Sequence, residues 1–306
     1  MFDSALTSCR IVRADDSNFT RLNPPNDRRI PTAADDGTAQ NRYLLSVQRR
    51  FLYDGESMTS TILERSGTAA RIVDGVKIYG EGDTEIRALD GVSVEFETGK
   101  FTAIMGPSGS GKSTLLHALA GLDTIDGGQV FIGETDIGTL KDKALTHLRR
   151  DSVGFIFQAY NLIPTLSAKE NILLPLSIAG KRPDNAWFDK VIEAVGLEDR
   201  LSHRPNELSG GQMQRVAAAR ALVSKPDIIF ADEPSGNLDS VSSAELLSFM
   251  RKAVREFGQT IVMVTHDATA AAYADRVVFL DDGKVVGTME DPTADDIYDR
   301  LKELGN

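Results

Sequence analysis

The chain has 306 residues, with 34 Lys and Arg against 45 Asp and Glu, so its formal net charge is −11. That balance argues against a nucleic-acid groove as the main binding surface, because phosphate backbones are attracted by fields of Lys and Arg. The single cysteine, Cys9, cannot close an intramolecular disulfide and fits a reducing cytosol. No apolar run reaches the roughly 18 residues of a membrane-spanning helix, so work on a membrane would need a pore supplied by another chain.

Residues 1–57 differ from the rest: Asp-Asp and Arg-Arg pairs recur, Lys is absent, and no periodic apolar face appears. The segment is expected to be disordered. It is either a short regulatory tail or upstream sequence ahead of a start at Met58, which makes 58–306 the folded domain. Its Arg content loosely suggests an organelle transit peptide, which its many Asp residues weaken.

Strand patterns cover Arg71 to Tyr79 and Ile86 to Phe96 and are broken by the turn Gly80-Glu81-Gly82-Asp83, which predicts an antiparallel sheet. The apolar strand Phe101 to Met105 and a helix over Thr114 to Ala120 follow. Next come a strand at Gln129 to Ile132, a polar helix over Leu140 to Arg150, and a buried strand at Val153 to Phe157. Helical spacing covers Lys169 to Ala179, Asp184 to Val195 and Ser209 to Ser224. Asp227 to Ala231 and Thr260 to Thr265 are apolar on both faces, as strands of a buried parallel sheet are. Two strands, Arg276 to Leu280 and Lys284 to Thr288, and a helix over Ala294 to Leu304 complete the pattern.

Between the strand ending at Met105 and the following helix lies Gly106-Pro107-Ser108-Gly109-Ser110-Gly111-Lys112-Ser113, which fits G-x-x-x-x-G-K-[ST]. Its glycines let successive N–H groups converge on one centre, and the helix N-terminus reinforces the positive potential there. Polyphosphate is the expected guest, with Ser108, Gly109, Ser110, Gly111, Lys112, Ser113 and Thr114 as contacts. Lys112 would reach the β- and γ-phosphates and act in catalysis, and the Ser113 hydroxyl would ligate Mg²⁺. Asp227 to Glu233 delivers two carboxylates at a strand end. Asp232 is expected in the Mg²⁺ shell and Glu233 as the base that polarises the attacking water.

Gln158 also follows a strand, and its amide oxygen is a candidate Mg²⁺ ligand. His266 ends another, where an imidazole can bond a γ-phosphate oxygen and hold water in line. His117, His147 and His203 lack such a setting and read as structural. Leu208-Ser209-Gly210-Gly211-Gln212 offers N–H groups and a hydroxyl to an anion ahead of a helix, yet no second Walker lysine exists to complete a site. Half a site predicts a head-to-tail homodimer, in which Ser209, Gly210, Gly211 and Gln212 of one copy close over ATP held by the other. Ser235-Gly236-Asn237-Leu238-Asp239 would form the contact between the two sites.

In this order the motifs resemble the nucleotide-binding domain of ABC ATPases over about 72–290: Walker A at 106–113, Q-loop at Gln158, signature at 208–212, Walker B at 228–233, D-loop at 235–239 and H-loop at His266. The resemblance implies an α/β fold, a RecA-like P-loop NTPase core with an N-terminal antiparallel β-subdomain and an α-helical signature subdomain near 160–215. It also implies ATP and Mg²⁺ as cofactors, and an aromatic that stacks on adenine, for which Tyr79 is placed. Ala103 to Gly111, Phe155 to Pro164 and Pro234 to Asp239 resemble the branch of macrolide exporters, lipoprotein-release ATPases and the FtsE type. Members pair with FtsX- or MacB-like permeases, which implies a cytoplasmic subunit held at the inner face of the cell membrane, its coupling contact near 159–175. Control of cell-wall hydrolases in division is the alternative role. The first 57 residues depart from the family pattern.

Overall fold

The computed structural model describes residues 67–304; the N-terminal extension with Cys9 and Met58 lies outside the described residues. In chain order the elements are β1 (Thr68–Tyr79), β2 (Ile86–Glu97), β3 (Phe101–Met105), α1 (Lys112–Leu119), β4 (Gly127–Ile132), β5 (Thr135–Asp136), α2 (Asp142–Ser152), β6 (Val153–Ile156), α3 (Ala168–Ile178), α4 (Asn185–Val195), α5 (Gly210–Val223), β7 (Ile228–Asp232), α6 (Ser240–Phe257), β8 (Thr260–Val264), α7 (Ala268–Ala271), β9 (Arg276–Asp281), β10 (Lys284–Glu290) and α8 (Ala294–Leu304). They form two sheets. One is four-stranded and antiparallel in the order β2-β1-β4-β5, and the other is six-stranded in the order β10-β9-β3-β8-β7-β6. In the larger sheet only the β10–β9 pair is antiparallel; the other neighbours run parallel.

Strand alternation divides the interior into two cores, because successive side chains point to opposite faces. From β3, β7, β8 and β9, one face receives Phe101, Ala103, Met105, Ile229, Ala231, Ile261, Met263, Val277 and Phe279, and α3 to α8 cover it. The other receives Ile104, Ile228, Phe230, Val262, Val264, Val278 and Leu280, packed on α1 and the inner side of the antiparallel sheet. All five residues of β3 are buried, since strands flank it on both sides and both faces are covered. The continuous apolar run in the sequence has this cause.

Helix starts follow their caps. Ser167 and Glu170 make a reciprocal capping box at α3, and Asp184 accepts from the Trp187 N–H at α4. Asp239 accepts from the Val241 and Ser242 N–H groups and opens α6, whose 18 residues end at Gly258 in the left-handed region, φ 65°. The expected elements are all present, with ends shifted by a few residues, and α6 and the short β5 and α7 are additions to them.

Candidate functional site

The phosphate loop joins β3 to α1 and is wedged between two other strands. At Gly106, with φ 152°, a Cβ would sit 1.9 Å from the Leu280 carbonyl oxygen, and at Gly111, with φ 95°, 2.1 Å from that of Ala88. Only glycine fits at either position, so β9 on one side and β2 on the other set the loop's curve. Lys112 is 9% exposed, and its ammonium donates to the carbonyls of Gly106 at 3.0 Å and Pro107 at 2.6 Å. Burial pushes this ammonium below its ordinary pKa, while the charges of Glu233 and Asp232 oppose the shift. A partly dehydrated cation is therefore held against the loop carbonyls at the N-terminus of α1, an arrangement suited to a polyanion.

The Ser113 hydroxyl donates to Asp232 Oδ1 at 3.0 Å, which brings the first turn of α1 to the end of β7. One turn further along α1, His117 Nε2 lies 3.4 Å from Asp232 Oδ2, and that contact raises its pKa. His117 thus touches a carboxylate of the candidate site, a contact its reading as a structural histidine did not include. Its signal was the i,i+4 spacing from Ser113, which puts both on one helix face. Glu233 takes a left-handed conformation, φ 45°, which costs a non-glycine residue about 1–3 kcal/mol and is typical of functional positions. Its N–H donates to the Val264 carbonyl at 2.9 Å, and its Oε1 lies 3.1 Å from His266 Nδ1. Ser113 with Asp232, and Glu233 with His266, are therefore brought together. Ser113 and Asp232 present hard oxygen donors only. Among the described residues no group of three or more His, Cys, Asp or Glu could hold a metal, so a cation here would complete its shell with phosphate and water oxygens, as Mg²⁺ does.

Gln158 packs on the turn after Glu233. A Cβ on Gly236 would meet its Nε2 at 2.9 Å, and the Asn237 amide donates to its carbonyl at 3.2 Å. No hydrogen bond joins the Gln158 side chain to Ser113 or Asp232 among the described residues. Gln214 has no sequence signature as a site residue, yet its fully buried amide donates to the carbonyls of Phe157 at 3.0 Å and Pro234 at 2.7 Å. It staples together the residues flanking Gln158 and Glu233. Ser209 caps α5, accepting from the Gln212 N–H while Gln212 Oε1 accepts from the Ser209 N–H. Cβ atoms at Gly210 and Gly211 would meet Tyr160 Oη at 2.8 Å and Ser242 Oγ at 2.5 Å. The pentapeptide makes no hydrogen bond to the phosphate loop among the described residues. Tyr79 is 43% exposed, and its hydroxyl donates to Asp123 Oδ2 at 2.7 Å.

Residues 89–236, from β2 to the turn after Glu233, match the family described as ABC transporter. The chain is 45% identical over 217 residues to the lipoprotein-releasing system ATP-binding protein LolD of Geobacter metallireducens, covering 70% of this chain and 96% of that one. It is 47% identical over 217 residues to the macrolide export ATP-binding/permease protein MacB of Hyphomonas neptunium, where the match covers 70% of this chain but only 33% of the relative's length. Among solved structures, the ATP-binding cassette MJ0796, in a dimeric post-hydrolysis state bound to ADP and Pi, is 40% identical with a TM-score of 0.66, covering 73% of this chain and 99% of that one. The match therefore spans the phosphate loop, both strand-end carboxylates and the pentapeptide that opens α5, and it places the chain in the ABC transporter family as an ATP-binding cassette ATPase with a P-loop α/β core.

Proposed function

We propose that the cassette acts as a homodimer that binds MgATP between its copies and drives a separate permease of the FtsX or MacB kind. The carrying observation is the split of phosphate-binding chemistry within one chain. The loop at 106–113 holds a lysine and no N–H donors from Ser209–Gln212, whereas those donors open α5 away from it. Head-to-tail pairing lets each half complete the other. In this reading Ser108 to Thr114 cradle the phosphates, Lys112 neutralises charge on the γ-phosphate, and Tyr79 stacks on adenine. Ser113, Asp232 and Gln158 hold Mg²⁺ directly or through water. Bound Mg²⁺ would neutralise the β- and γ-phosphate oxygens. Glu233 takes a proton from the attacking water, and His266, bonded to it, holds that water in line.

The permease contact is assigned to the Q-loop side. Leu174 and Pro175, at the end of the segment 159–175, line with Phe155, Ile178 and Arg220 a cleft of about 260 Å³, and Ile178 is 72% exposed. No helix among the described residues is long and apolar enough to cross a membrane, and the cassette is assigned to the inner membrane face through that contact. Residues 58–306 form the cassette in this proposal, with 1–57 as an appendage and 160–215 as its helical signature part. Mild detergent extraction and affinity purification should recover the chain with an integral-membrane protein. Recovery with ribosomes or DNA alone would overturn the proposal, and a permease partner that controls cell-wall hydrolases would assign it to division.

A further inference from the structure

The end of β1 is tied residue by residue to the loop that follows α1. Lys77 is only 7% exposed, and its ammonium donates to Asp123 Oδ1 at 3.0 Å and to the Thr124 carbonyl at 2.6 Å. The Ile78 N–H donates to Asp126 Oδ2 at 2.7 Å. Tyr79 donates to the second oxygen of Asp123 at 2.7 Å, so one carboxylate receives both the lysine and the tyrosine. Lys77 Nζ also lies 5.1 Å from the centre of the Tyr79 ring. Burial opposes ionisation of Asp123, but hydrogen bonds from Tyr79, Lys77 and the Thr124 N–H outweigh it and hold the carboxyl below its ordinary range.

The sheet does not need this cluster. Tyr79 and Ile78 already pair with Ile86 and Arg87 of β2, and Val76 pairs with Gly127 of β4. A half-buried charge pair is at best weakly stabilising, so stability is a poor reason for it. Its connectivity supplies a better one. Helix α1 carries the phosphate loop at its N-terminus, and residues 123–126 leave its other end, so the cluster fixes the Tyr79 ring relative to the phosphate nest. An unclamped ring would have to be ordered at each binding event, which weakens affinity by roughly two- to twelvefold per side chain.

We propose that Lys77 and Asp123 are positioning residues for the base half of the nucleotide, holding the Tyr79 ring at the distance from the phosphate loop that one ATP molecule can span. The inference rests on the reading of Tyr79 as the adenine platform. Tripolyphosphate separates the two, because it carries the phosphates without a base. Affinities for ATP and for tripolyphosphate, both with Mg²⁺, are measured by calorimetry for Tyr79→Ala, Tyr79→Phe, Asp123→Ala, Asp123→Asn and Lys77→Met. Tyr79→Ala is expected to weaken ATP about tenfold or more, in line with loss of one base–aromatic stack. Tyr79→Phe, Asp123→Ala and Lys77→Met should weaken it roughly two- to tenfold. Asp123→Asn, which keeps an acceptor for the tyrosine hydroxyl, should recover part of the loss, and tripolyphosphate should bind all variants equally.

If Tyr79→Ala leaves ATP affinity unchanged, the platform reading falls and the clamp with it. If Tyr79→Ala weakens ATP while Tyr79→Phe and Asp123→Ala do not, the platform stands and the clamp is overturned. Equal losses for tripolyphosphate and ATP would also overturn it, since the change would then lie in the phosphate loop. Should Asp123→Ala fail to fold, Tyr79→Phe and Lys77→Met together decide the question, and no loss of ATP affinity in either overturns the clamp.

Discussion

Packing against Ser242 calls for glycine at 211, and the proposed approach of a phosphate would call for it too; a double-mutant cycle separates the two. A Cβ at this position, on the first turn of α5, would lie 2.5 Å from Ser242 Oγ and 2.7 Å from Ser242 Cβ on the first turn of α6. Ordinary carbon contacts begin near ~3.5 Å, so Gly211→Ala must separate the two helix starts by close to ~1 Å. Forced overpacking of this kind costs about 1–3 kcal/mol, and the better helix propensity of alanine offsets at most ~1 kcal/mol of it. The net loss is then at most about 3 kcal/mol, and each kcal/mol lost corresponds to a fall in Tm of roughly 2–4 °C for a domain of this size. Ser242→Gly removes both offending atoms but keeps the N–H that Asp239 accepts, so the double variant should recover at least ~1 kcal/mol relative to the sum of the single changes. Urea denaturation of the four proteins measures this coupling, and ATPase turnover is measured on the same samples. Additive stabilities within ~0.5 kcal/mol would refute the steric argument. Turnover that recovers together with stability would show that Gly211 serves packing alone and has no phosphate to approach.

Glu233→Gln should retain ATP binding, lose about 10²–10⁴-fold in hydrolysis, and elute as a dimer when ATP is present; wild-type turnover would remove Glu233 from the role of base. His117→Leu should raise the Mg²⁺ concentration for half-maximal turnover by about tenfold or more, with His117→Asn in between, and an unchanged Mg²⁺ dependence would make its contact with Asp232 incidental. Asp151 is hydrogen-bonded by Arg150 and Lys181, which hold its carboxyl well below the ordinary range. A depressed folded-state pKa gives stability above the unfolded value of about 3.9 that disappears as pH falls through the folded one. The Tm gap between wild type and Asp151→Asn should therefore be widest near neutrality and close in acid; a gap independent of pH would contradict the assignment.

The strands of the parallel sheet were legible because burial on both faces writes an unbroken apolar run, as in Ile228-Ile229-Phe230-Ala231. The phosphate loop and pentapeptide were legible because backbone N–H groups can converge only where glycines recur. Helix α6 was not, although Asp239 and Gly258 mark its ends and Leu246, Leu247, Phe249, Met250, Ala253 and Val254 form its buried stripe. Its first turn, Ser240-Val241-Ser242-Ser243, is polar and β-branched, which reads as a continuation of the preceding turn; the Asp239 cap and the packing of the apolar stripe beyond it make it helical. His117 could have been inferred from its distance to Ser113 along a helix. Gln214 could not, since what it holds are main-chain carbonyls, and these carry no trace in residue type.

Gln214 also ties three parts of the molecule to one side chain. Both hydrogens of its amide are committed, one to the strand end before Gln158 and one to the turn after Glu233, and it rides on the helix that Ser209 begins. Among the described residues its carbonyl oxygen has no hydrogen-bond partner, so the two donated bonds are what hold the amide. In a dimer whose pentapeptide touches the other copy's nucleotide, a displacement of α5 would act on Gln158 and Glu233 of the same chain together. Each copy would then report the state of its neighbour's ATP to its own hydrolytic centre through a single rigid part, and the two turnovers would be expected to keep time with each other.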